Sequence, residues 1–181
     1  ALQYAEQILA VSPLDEVAMS QKITALELDK RTDEALVFSE SMLKKNPENI
    51  VFQNQAMLLN LKIGNVSRAY EILQTTTKQK PNIYFAIALV SLQKRKNNLA
   101  RSVIEKLVLD QALSIKSRIM IAAIARIGKF EKIPELESFY LRFSPSDLAE
   151  IDDYVKKFKE NPSDALGVGG ISNVFSKPLL K

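Results

Sequence analysis

Apolar positions along this chain recur at helical spacing, but not on every segment in the same way. From position 148 onward, Leu148, Ile151, Tyr154, Val155 and Phe158 alternate with acids and lysines, which is the one-sided pattern of a helix with a solvent face. Residues 83–90 are instead apolar on every side, and Ile119, Met120, Ile121, Ile124 and Ile127 repeat that pattern more weakly. A helix of that kind has to be covered twice. Periodicity and punctuation together predict a helix over 1–11, then hairpins of paired helices over 14–29 and 33–45, 47–63 and 66–78, 81–94 and 99–110, and 114–127 and 131–143. A last helix is expected over 147–159.

The punctuation has a period. Pro13, Pro47 and Pro81 stand 34 residues apart, and Ala1, Ala35 and Ala69 each precede one of them by 12. Ala100, and Ile133 before Pro145, extend the series. Gly64 and Gly128 each lie 17 residues before a proline, Pro81 and Pro145. Glycine just past a helix can close its last turn in the left-handed conformation, and proline fits a first turn because it has no N–H to leave unpaired. Ser12-Pro13-Leu14-Asp15 and Ser144-Pro145-Ser146-Asp147 each offer a hydroxyl cap with a carboxylate three residues on, and Asn46-Pro47-Glu48 offers a cap, a proline and an acidic first turn. The recurring alanine is small enough to let two helices press together.

A helical period of this length is the spacing of a solenoid, whose units bury their apolar faces by stacking on their neighbours. On period, alanine, turn glycine and proline, residues 1–160 resemble the tetratricopeptide repeat (TPR) family. The family's aromatic and small slots on the first helix hold Met19 and Ile23, Gln53 and Met57, Tyr84 and Ala88, then Ser117 and Ile121, and its aromatic slot on the second helix holds Ser39, Leu73, Ile104 and Glu137. The resemblance implies an all-α fold: a right-handed α-solenoid of antiparallel helical hairpins, a TPR-like superhelix, closed by a C-terminal capping helix. It implies one repeat domain over 1–160, opening in mid-repeat as a piece of a longer protein would, and a tail or linker over 161–181. The tail's Gly167, Gly169 and Gly170 read as flexible, with Ile171, Val174, Phe175, Leu179 and Leu180 as apolar handles.

In such a stack the first helix of each hairpin lines the inner wall. The register then turns Ser20, Thr24 and Glu27 to a concave groove, followed by Asn54, Leu58 and Leu61, by Phe85, Leu89 and Leu92, and by Arg118, Ala122 and Ala125. The groove is expected to be polar at its N-terminal end and apolar in the middle, with Asn54, Leu58, Leu61, Phe85, Leu89, Leu92, Arg118 and Ala122 carrying partner contacts. The expected occupant is a partner helix or extended peptide, the chain's own tail, or a second copy.

Composition narrows the chemistry. The 181 residues are 46% hydrophobic and 25% charged, enough for a core without a disulfide or metal, and neither cysteine nor histidine is present. The commonest general base, the thiolate nucleophile and the usual zinc ligands are therefore missing together, and no phosphate-binding glycine loop occurs. Asp152, Asp153, Glu131, Glu135 and Glu137 read as dipole partners and solvated charge. The expectation is a non-enzyme without cofactor or metal: a protein-interaction scaffold, with self-assembly or a substrate-selecting role beside a separate catalytic part as the alternatives. The longest apolar run, 83–90, is far short of the ~18 residues of a membrane span. Cytoplasmic and periplasmic settings stay equally open. Residues 1–77 hold 7 basic and 10 acidic side chains, net −3, and residues 78–181 hold 18 and 11, net +7. The basic half lacks interleaved stacking aromatics, which disfavours nucleic acid.

Overall fold

The computed structural model describes residues 1–76, 81–110, 112–130 and 132–161, and all regular structure among them is helical. The tail handles Ile171, Val174, Phe175, Leu179 and Leu180, the tail glycines, Lys78, Lys80 and Glu131 lie outside the described residues. The helices form two compact units, Ala1–Thr77 and Lys78–Lys181. The boundary between them coincides with the change of sign in net charge.

The first unit holds α1 (Leu2–Val11), α2 (Glu16–Leu28), α3 (Thr32–Lys45), α4 (Ile50–Lys62) and α5 (Val66–Thr75), each packed on the next. Its core joins Ile23 and Leu26 of α2, Ala35 of α3 and Leu59 of α4, with Leu2 and Phe38 against them. Ala35 and Ala69 are fully buried, as the close approach of neighbouring helices requires. The second unit holds α6 (Pro81–Gln93), α7 (Asn97–Val108), α8 (Ile115–Gly128), α9 (Pro134–Tyr140) and α10 (Pro145–Glu160). Here α8 is central, touching α6, α7, α9 and α10. Ile119, Ala122 and Ala123 of α8 close a core with Ile151 of α10, flanked by Tyr140, Phe143, Leu148, Tyr154 and Val155.

Four turns share one geometry. Lys30, Gly64, Arg95 and Lys129 adopt left-handed φ angles of 62°, 78°, 56° and 57°. After each, the next amide donates back to a carbonyl five residues earlier: Arg31 to Leu26, Asn65 to Asn60, Lys96 to Ser91 and Phe130 to Ala125, all at 2.8 Å. This is the Schellman closure, and it turns α2 back as α3, α4 as α5, α6 as α7 and α8 toward α9. Gly64 holds its expected place. Gly128 does not, because it remains the last residue of α8 and Lys129 takes the left-handed position. Its small size serves another contact, since a Cβ at Gly128 would stand 2.3 Å from the Phe130 ring.

Two expected starts also move. The amide of Asp15 donates to the Ser12 carbonyl and that of Asn49 to the Asn46 carbonyl, each at 3.1 Å, so Pro13 and Pro47 occupy the second position of a turn. Helices α2 and α4 begin after it. Asp15 accepts from the Ala18 amide, and Asn49 accepts from the amides of Val51 and Phe52. At α10 the Ser144 cap forms as expected, in a full capping box with Asp147.

Candidate interaction groove

In the first unit, α2 and α4 are tied at both ends. The Asn49 amide donates to the Glu16 carboxylate at the start of each helix, and Lys62 pairs with Glu27 near their ends. Matching ends meet, so the two helices run side by side in the same direction, with α3 between them along the chain. Of the polar positions expected on the wall, Ser20 and Thr24 line a cavity of about 450 Å³, while Glu27 is held by Lys62. Asn54 and Leu58 of α4 are half-buried, and Leu61 is buried.

The cavity is apolar, unlike the polar N-terminal end expected from Ser20, Thr24 and Glu27. Tyr4 of α1, Val17, Ala25 and Leu28 of α2 and Val51 of α4 contribute to its lining. Tyr4, Val17 and Leu28 are 63%, 66% and 76% exposed, an apolar surface shared by α1 and α2. The Thr24 hydroxyl is taken up by the Ser20 carbonyl at 3.0 Å. What the sequence does hold is register: positions 17, 20, 21, 24 and 28 form one stripe of a helix, and α2, like α4 and α6, carries apolar residues all round. In α5 and α7 the apolar residues keep to one side.

In the second unit, the expected apolar wall is not open. Phe85, Leu89 and Ala122 are buried, Ala122 within the core closed by Ile151, and Leu92 is half-buried. Half-buried Arg118 lies over the Phe139 ring at 5.4 Å and borders a cavity of about 710 Å³ with Arg142, Asp110 and Glu135. This lining mixes both charge signs.

Among the described residues no group of three or more histidine, cysteine, aspartate or glutamate side chains is placed to hold a metal ion, and no helix is long and apolar enough to cross a membrane. Asp152 pairs with Arg126, and Asp153 with Lys157 at 2.5 Å. Comparison with protein-family models, with curated proteins and with solved structures returns no match.

Proposed function

We propose that the chain is built from tetratricopeptide-like hairpins and works as a non-catalytic protein-interaction scaffold, holding a partner segment in the groove that α1, α2 and α4 form. The observation that carries this reading is the exposure of Tyr4, Val17 and Leu28 around one cavity on helices tied together at both ends. Rigid walls and exposed apolar anchors are what a binding groove needs, because little ordering cost remains when a partner docks. The full set of contacts is proposed to include Ser20, Thr24, Asn54 and Leu58 of the first unit.

A photo-crosslinker placed at Thr24 tests the reading in extract. The expected result is a crosslinked partner segment that disappears when Val17 and Leu28 are both replaced by aspartate. The same segment persists when Val37, which is 71% exposed but outside this cavity, receives the aspartate instead. An unchanged crosslink in the Val17→Asp, Leu28→Asp protein would remove the groove from the proposal.

A further inference from the structure

The charge around the groove specifies what it takes. Its lining contains one charged side chain, the exposed carboxylate of Glu16, which also accepts from Asn49, and no lysine or arginine. The three other surface cavities described each mix acids with lysine or arginine, such as Lys22 and Arg31 beside Glu6 and Glu34, or Lys44 and Arg68 beside Glu40 and Glu48. The groove is thus apolar with an acidic end, on a unit whose own net charge is −3.

Resting on the proposed groove, we propose that its occupant is an amphipathic helix of another protein, with an apolar stripe against Val17, Thr24 and Leu28 and a lysine or arginine reaching Glu16. A helix suits the site better than an extended strand. A strand brings unpaired backbone N–H and C=O groups, for which a lining whose exposed surface is mostly apolar offers few partners, whereas a helix satisfies its own backbone. The stripe from Val17 to Leu28 spans about 16 Å, the length of roughly three helical turns. A second copy docked face to face through the same groove is disfavoured, because a twofold interface would bring Glu16 toward Glu16 and one acidic unit against another.

The test titrates the full chain with two fluorescent model helices of about 18 residues, identical in their leucine stripe and differing only in lysine or glutamate flanks. At 0.15 M salt the Debye length is about 8 Å, so charges beside the groove dominate over those elsewhere on the chain. The lysine helix should bind about twofold to fivefold more tightly, the range one exposed charge pair supplies. Glu16→Gln, which keeps an acceptor for the Asn49 amide, should erase that preference, and Val17→Asp with Leu28→Asp should abolish binding of both helices while circular dichroism stays unchanged. Equal binding of the two helices that still needs Val17 and Leu28 would overturn the charge inference and leave the groove standing. Binding of neither helix, or binding indifferent to Val17 and Leu28, would overturn both. A mass that doubles with concentration and reverts in the double variant would assign the groove to a second copy, against this proposal.

Discussion

Phe130 folds back over Gly128 so closely that a single added methyl group at Gly128 would stand 2.3 Å from its ring. The ring is buried, and the Schellman bond from the Phe130 amide to the Ala125 carbonyl fixes where it sits. Gly128→Ala should therefore cost about 1–2 kcal/mol, overpacking outweighing the better helix propensity of alanine. Hydrogen exchange in α8 and α9 reads the loss. Adding Phe130→Leu should recover part of it, a non-additive pair that a purely local backbone effect would not produce.

The helices were legible in the sequence because each has an apolar face and firm punctuation, but the choice of caps was not. Ser12-Pro13-Leu14-Asp15 and Ser144-Pro145-Ser146-Asp147 share one pattern, yet Asp15 caps α2 from outside the helix while Asp147 sits inside α10 and bonds back to Ser144. Local chemistry offers both outcomes, so the packing of the helix decides between them. The same holds for the groove. Ser20 and Thr24 were read from register, but Tyr4 arrives from a different helix, and Val17 and Leu28 matter because α1 and α4 leave them uncovered. No spacing rule within α2 contains that information.

Lys30, Arg95 and Lys129 hold left-handed backbone that their side chains disfavour, while Gly64 holds the same conformation without that penalty. Replacing any of the three by glycine should stabilise its unit by about 0.5–1 kcal/mol, after allowance for the greater freedom of glycine in the unfolded chain. Gly64→Ala should cost about 1 kcal/mol by the same reasoning. Chemical denaturation of the four variants checks both signs, and destabilisation by Lys30→Gly would show that the Lys30 side chain contributes more than its backbone costs.

Ser39 is 1% exposed on α3, and its hydroxyl has no hydrogen-bond partner. Burying an unpaired hydroxyl loses its hydration without return. Ser39→Ala should raise the stability of the first unit by about 0.5–1 kcal/mol, with added helix propensity in the same direction. Slower amide exchange in α3 is the expected readout; faster exchange would show that the hydroxyl is satisfied in solution.

Glu40 joins three helices. Its carboxylate accepts two bonds from the Arg68 guanidinium of α5, at 3.1 and 2.8 Å, and one from the buried Asn60 amide of α4 at 2.8 Å. The hydrogen bonds from Arg68 hold the Glu40 carboxyl below the usual carboxylate range, against the opposing effect of partial burial, with Asn60 adding to the lowering. The same pairing raises the Arg68 guanidinium above its ordinary value, so Arg68 stays charged throughout. Because the folded value lies below the unfolded one, the stabilisation is fully present above the ordinary glutamate range and is lost as pH falls through the depressed folded value. Glu40→Gln removes the titrating group and should cost about 1 kcal/mol at pH 7, a charge-assisted bond discounted for the exposure of Arg68. At a pH low enough to protonate Glu40 in the folded protein, the difference between the two proteins should shrink, since protonated Glu40 and glutamine present similar neutral groups. Amide exchange across α3, α4 and α5 at both pH values measures this, and a difference that stayed constant or grew on acidification would mean that Glu40 stabilises the first unit through packing and not through its charge.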